Sequence, residues 1–420
     1  MKICFSGYAD ISIPSDYIVS ATRPNTYISP SVDKIAFINR KAPGEELCLY
    51  DLASEEVKTA RVAYSQKLAE TSSDSDACWD PVLGFDSANG RIGGCWKREA
   101  GKSNYLSVLN TNLDVLRNGE NLTAYGPFTI ASRTYTTYTN HAIPILRQGT
   151  ERDEAYLITN GIFDQAKANE SRDQTGCAQG QLGVFRFTPD KMELVGMLVN
   201  LGQNQYYDAL MIGSKIHVLL VETNQFGSKI MYQKVKYLVY ETSTNKWMVN
   251  DTLFEANSPN YFQDHVRLLR RGDGISAYFS VPVSNYLYCY EFPEKKLRRI
   301  AELNGNTFAV CPVDPAGQVH AVVCLRPQQE KAKGKYILSA ALLSSKGRSD
   351  WVSVESDANV VGNNAEDWKW IENAYYVLGR CSKPDGVFFW MGGFKDAYLF
   401  EVSSSAGSNP AEQTQNKDNK

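Results

Sequence analysis

Apolar and polar positions alternate along this chain in short runs, and each run stops at a cluster of Gly, Pro, Asn, Asp or Ser. "LCLYDL" from residue 47, "ISAYFSVPV" from 275 and "YLYCYEF" from 286 show the pattern most plainly. A period of two is that of a strand whose successive side chains point to opposite faces. Turn chemistry such as "RRGDG", "VDPAG" and "SKPDG" separates the runs. No long segment carries the i, i+3, i+4, i+7 apolar spacing of an amphipathic helix. The pattern predicts an all-β chain.

The run "LCLYDL" recurs. Segments of the same kind, apolar alternation ending in an aromatic and then an acidic or polar residue, begin near 106 ("LSVLNT"), 184 ("VFRFTP"), 237 ("LVYETS"), 287 ("LYCYEF"), 338 ("LSAALL") and 397 ("YLFEVS"). Their mean spacing is about 58 residues, somewhat above the roughly 40–50 of a common four-stranded unit. A four-stranded sheet cannot bury both faces alone, so such units stack around a ring. The expectation is a β-propeller of seven four-stranded blades, with six or eight left open because one strand per unit was counted. The longest gap contains the polar stretch 162–181, read as a loop inserted in the third unit. The last unit supplies about three strands, so a strand near "KICFSGY" or "DYIVSAT" at the N-terminus is expected to close the ring. Residues 1–403 then form one propeller domain, and 404–420, without aliphatic or aromatic β-formers, a disordered tail.

The stretch "ISPSVDKIAFINR" with "EELCLYDLASEEVK" resembles the repeat of TolB-type and prolyl-oligopeptidase-type propellers through Ser29, Pro30, Ile35, Ala36, Phe37, Tyr50, Asp51 and Leu52. Ser31 and Val32 stand where that repeat has Asp-Gly. "YLVYETSTNKWMVND" in the fourth unit is similar to the end of a kelch repeat, and Gly93-Gly94 and Gly392-Gly393 are kelch-like doublets. Both resemblances imply a propeller and carry no catalytic residues.

Composition narrows the function. With 44 basic and 47 acidic residues the net charge is -3, which gives no long-range attraction to nucleic acid. No run of about twenty apolar residues could span a bilayer, and the N-terminus lacks a signal-type apolar core. A soluble, cytoplasmic chain is expected. Nine cysteines lie scattered without a C-x-x-C pair, and His141, His217, His265 and His320 are far apart, so neither a metal nor another cofactor is expected. A G-x-S-x-G elbow and the phosphate-cradling G-x-x-x-x-G-K-[ST] are both missing.

Candidate chemistry lies at the predicted channel mouth. "CWDPVLGF", "YYDALMIG", "FQDHVRLL" and "EDWKWIEN" place Trp79, Asp80, Tyr207, Asp208, Asp264, His265, Glu366, Asp367 and Trp368 near the start of the predicted inner strands. Carboxylates beside aromatic faces suit a sugar ring, and a pair at suitable separation suits glycoside hydrolysis. The same residues are also ordinary turn and strand-edge choices. A local basic group, Arg267, Arg270, Arg271, Lys295, Lys296, Arg298 and Arg299 with Lys331, Lys333 and Lys335, reads as edge protection or as a face for an acidic partner. The leading expectation is a non-enzymatic platform for a protein partner. The alternative is a carbohydrate-binding protein or glycoside hydrolase using the channel-mouth carboxylates.

Overall fold

The computed structural model describes thirty-two β-strands, residue 1, and the turn or flanking residues 54–55, 213–214, 242–245, 257, 272–273, 293–295, 303, 313–314, 316–319, 345–346, 349–351 and 354. Among the described residues there is no helix.

Strand β1 is Lys2–Asp10. The first four-stranded sheet follows as β2 (Tyr27–Ile28), β3 (Lys34–Asn39), β4 (Glu46–Asp51) and β5 (Glu56–Arg61). The second is β6 (Trp79–Asp86), β7 (Arg91–Arg98), β8 (Ser103–Asn110) and β9 (Val115–Asn121). Strands β10 (Phe128–Ile130) and β11 (Arg133–Thr137) precede the third sheet, β12 (Ala142–Leu146), β13 (Ala155–Thr159), β15 (Leu182–Phe187) and β16 (Met192–Leu198), which is interrupted in sequence by β14 (Ile162–Asp164). The fourth is β17 (Gln203–Ile212), β18 (Lys215–Phe226), β19 (Lys229–Glu241) and β20 (Lys246–Ala256). The fifth is β21 (Val266–Arg271), β22 (Gly274–Val281), β23 (Tyr286–Phe292) and β24 (Lys296–Glu302). The sixth is β25 (Phe308–Pro312), β26 (His320–Pro327), β27 (Tyr336–Ser344) and β28 (Gly347–Arg348), with β29 (Val352–Ser353) also on β27. The last contains β30 (Tyr376–Ser382), β31 (Asp385–Met391) and β32 (Asp396–Ser403).

All pairings are antiparallel, and the seven recurring segments of the sequence fall one to a sheet, on β4, β8, β15, β19, β23, β27 and β32, each third in its sheet counted from β2, β6, β12, β17, β21, β25 or β30. The first strands meet one another in a cycle: β2 with β6, β6 with β12, β12 with β17, β17 with β21, β21 with β25, β25 with β30, and β30 back with β2. The fold is a β-propeller.

Closure uses the N-terminus. Strand β1 pairs with β32, Ile3 opposite Val402 and Phe5 opposite Phe400, and supplies the fourth strand of the last sheet. Ile3 is buried in the same cluster as Tyr398 and Phe400, and the Phe5 ring meets Phe400 edge-on at 5.7 Å. Of the two predicted closing segments, "KICFSGY" is thus the one used; the other, 16–22, lies outside the described residues. So does the predicted tail, 404–420.

The expected loop at 162–181 needs a correction at its start. Ile162–Asp164 is strand β14 and pairs with β11, Tyr135 opposite Asp164, in an accessory three-stranded sheet with β10. The branched and aromatic pair Ile162-Phe163 gives this polar stretch a strand-forming start. Residues 165–181 lie outside the described residues.

The core lies between sheets. On β18, Ile216, Val218 and Leu220 pack with β13 and β15 of the third sheet, while Leu219 and Val221 pack with β21 and β22 of the fifth. On β26, Ala321, Val323 and Leu325 face the last sheet and Val322 and Cys324 face the fifth. A strand sandwiched this way needs apolar residues at both parities, which explains the continuous run "KIHVLLV". Each fully buried aliphatic side chain contributes about 1.5–3 kcal/mol relative to exposure.

The recurring aromatic-acid ending is a turn device. After Tyr50-Asp51, Tyr240-Glu241 and Tyr290-Glu291, the residue four beyond the acid, Glu55, Asn245 or Lys295, has φ of 59°, 54° or 53°. Each is the last residue of a four-residue hairpin loop, where the chain must turn back with left-handed backbone. In the first, the Ser54 N–H donates to Asp51 Oδ1 at 3.2 Å. In the second, the Tyr240 hydroxyl donates to the Val195 carbonyl of the neighbouring sheet at 2.8 Å.

Candidate functional site

The predicted channel-mouth residues divide into three groups. Trp79 and Asp80 start β6, and Tyr207 and Asp208 lie within β17, so both pairs sit on first strands, the ones that form the inner cycle. Asp264, His265, Glu366, Asp367 and Trp368 lie outside the described residues. Of these nine, Asp208 is the one whose side chain the structure describes.

Asp208 is used between sheets. Its Oδ1 accepts the Ala209 N–H at 2.9 Å, and its Oδ2 accepts the Leu268 N–H of β21 at 2.8 Å. The edge of β21 facing β17 would otherwise present an unpaired donor, and the carboxylate supplies its acceptor. Burial raises the pKa of Asp208, opposed by the Arg267 guanidinium and by the two backbone donors. Asp208 is a clasp from β17 to β21.

A denser polar arrangement lies between the fifth and sixth sheets. The β21–β22 turn docks on the loop before β26: the Gly272 N–H donates to the Ala316 carbonyl at 2.8 Å, and Asp314 caps the Gln318 and Val319 N–H groups at 3.0 and 2.6 Å. Gly317, with φ of 63°, allows this approach, because a Cβ there would stand 2.6 Å from the Arg270 carbonyl oxygen. Behind the turn, His320 Nε2 lies 3.0 Å from that same carbonyl and Nδ1 lies 2.6 Å from the Tyr278 hydroxyl. A carbonyl only accepts, so Nε2 carries the hydrogen and Nδ1 accepts from tyrosine. Burial, with Arg271 nearby, pushes the imidazole down to about 4. On β18, His217 is held down to about 4 mainly by burial, with Nδ1 at 2.7 Å from the Tyr237 hydroxyl.

Next to His320, Glu291 is buried between two guanidiniums. Arg271 Nη1 reaches Oε1, while Arg298 reaches Oε2 through Nη2 and through Nε at 2.8 Å. Arg298 Nη1 also approaches the Ser344 carbonyl of the sixth sheet at 3.5 Å. Sequence reading placed these arginines in a basic group and passed over the glutamate. The signal was present: Leu287, Cys289 and Glu291 share one parity of β23, and that parity is buried. A carboxylate on a buried parity needs cationic partners. Among the described residues no group of three or more His, Cys, Asp or Glu side chains is arranged to hold a metal. No helix there is long and apolar enough to cross a membrane.

No family model matches the chain, and no curated protein matches it in sequence. Solved structures are similar in the path of the chain. An oligogalacturonate lyase from Vibrio parahaemolyticus shares 9% identity at a TM-score of 0.49, over 96% of this chain and 99% of that one. A post-proline cleaving enzyme from Rickettsia typhi shares 8% identity at a TM-score of 0.48, over 93% of this chain and 54% of that one. The β-propeller domain of Swd1 from Myceliophteria thermophila shares 9% identity at 0.41, over 93% and 99%. These likenesses bring no activity with them.

Proposed function

We propose that this propeller is a non-enzymatic binding platform for a protein partner, acting in the cytoplasm. The observation that carries the reading is the accessory sheet of β10, β11 and β14, an addition to the four-stranded plan that is built on the segment leading into 165–181. Added loops and small sheets on a rigid scaffold are where binding surfaces are commonly placed. The carbohydrate alternative relies on carboxylates free to meet a sugar, whereas Asp208 gives both oxygens to backbone N–H groups. The kelch-like and TolB-like segments fit the platform reading, since Tyr50-Asp51 and Tyr240-Glu241 within them lead into hairpin turns.

Replacing 165–181 by a short Gly-Ser linker tests the reading. The full chain and this variant, both confirmed as folded by circular dichroism, are used as baits in quantitative affinity purification. The expected result is a partner recovered with the full chain and lost with the variant. The reading is overturned by identical partner sets, or by hydrolysis of aryl glycosides by the wild-type protein that Asp208→Asn abolishes.

A further inference from the structure

Between the fifth and sixth sheets lies a pocket of about 120 Å³ lined by Arg271, Glu291, Arg298, Arg299 and Arg348, with Cys289 and the β27–β28 hairpin completing its wall. Arg299 lines the pocket but turns its guanidinium to the other face of the fifth sheet, over Tyr286, so three guanidiniums, those of Arg271, Arg298 and Arg348, meet one carboxylate, which leaves two positive charges without a countercharge in the lining. Cys289 adds none, because burial holds its thiol up at about 11.

The individual donors show where an acceptor is missing. Arg271, with 10% of its side chain exposed, gives Nη1 to Glu291, yet its Nη2 is buried and has no hydrogen-bond partner among the described residues. A buried donor left unpaired costs about 1–3 kcal/mol, more when it is charged. Arg348 is exposed and pre-oriented by stacking: it lies 4.9 Å from the ring centroid of Trp351, which Arg326 also meets at 4.6 Å. Arg348 is held below its usual range by burial and by Arg326, partly offset by Asp350. Stacked guanidiniums keep their N–H edges free for an in-plane acceptor.

We propose that this pocket binds a phosphate-type oxyanion, free or esterified, with Arg271 Nη2 at its base and Arg298 and Arg348 around its mouth. A tetrahedral dianion offers acceptors in several directions and neutralises two charges, whereas a single carboxylate offers one plane and one charge. Glu291 holds Arg271 and Arg298 in place and keeps the empty pocket from carrying its full positive charge. The site is independent of the accessory sheet, so it stands or falls separately from the platform reading.

Isothermal titration of the full chain with inorganic phosphate, phenyl phosphate and acetate at constant ionic strength tests it. Phosphate or its ester is expected to bind in the millimolar range or tighter and to raise the thermal midpoint, with acetate at the same ionic strength giving neither effect. Preference for phenyl phosphate over the free ion identifies an ester as the natural form, and the reverse identifies the free ion. Arg348→Gln changes an exposed side chain and is expected to bind at least about tenfold more weakly with an unchanged urea midpoint. Arg271→Gln, taken forward if it folds, is expected to abolish binding. Absence of any phosphate effect on the wild-type protein overturns the proposal, as does equal binding of acetate or undiminished binding by Arg348→Gln.

Discussion

Burial holds His320 as the neutral ring, with Nε2 donating to the Arg270 carbonyl and Nδ1 accepting from the Tyr278 hydroxyl. Its folded value of about 4 lies below the 6.5 of an ordinary histidine, so between those values the unfolded chain binds the proton that the folded chain refuses. Stability from this residue is complete above pH 6.5 and is lost as pH falls toward 4, by about 3 kcal/mol in full. Asp208, whose pKa is raised, acts with the opposite sign at acid pH, so the histidine is isolated by substitution. Urea midpoints measured from pH 7 to 4 are expected to fall for the wild-type protein and to fall less steeply for His320→Gln. Equal slopes would remove His320 from the account. None of this was visible in the chain: four histidines far apart excluded a metal cluster, but no spacing brings Tyr278, Arg270 and His320 together, since the contact crosses from one sheet to the next.

Strand β18 shows what the hydrophobic pattern did and did not reveal. Its unbroken apolar run marked a strand without stating which sheet each parity would meet, because alternation is a local property and the two neighbouring sheets are remote in sequence. Leu219 packs toward the fifth sheet and Leu220 toward the third, both fully buried. Leu219→Ala and Leu220→Ala are therefore each expected to cost about 2–5 kcal/mol in chemical denaturation, whereas in a sheet with one solvated face one of an adjacent pair would be nearly silent. A cost confined to one of the two would mean that β18 has an exposed face. The hairpin ends were more legible, since Tyr-Asp, Tyr-Glu and the residues after them encode the turn within a few positions. Glu291 carried both messages, a turn residue by its place and an ion-pair residue by its parity, and only the first was read.

At the scale of the molecule, the ring is closed by strand β1, held on β32 by its ladder and by Ile3 and Phe5. Removal of residues 1–10 exposes the whole edge of β32 and opens Tyr398 and Phe400 to water. The truncated chain is expected to show a lower thermal midpoint and concentration-dependent association through that edge, read by size-exclusion chromatography with light scattering. Ile3→Asp is expected to reproduce the loss of stability with the chain otherwise intact. A truncated chain that stays monomeric with an unchanged midpoint would show that closure does not depend on β1.

By itself the sequence determined that the chain is all-β, that one strand type recurs seven times, and that the last unit needs a strand from the N-terminus. Those properties follow from period-two alternation and turn chemistry, which act over a few residues and leave a direct trace in the order of side chains. Tertiary structure alone decided that Asp208 clasps β21, that Tyr278 meets His320, and that the arginines of the fifth and sixth sheets surround one pocket. Each joins residues about 40 to 80 positions apart through the stacking of separate sheets, and stacking is set by the shape of the closed ring, of which no short stretch of chain holds a record.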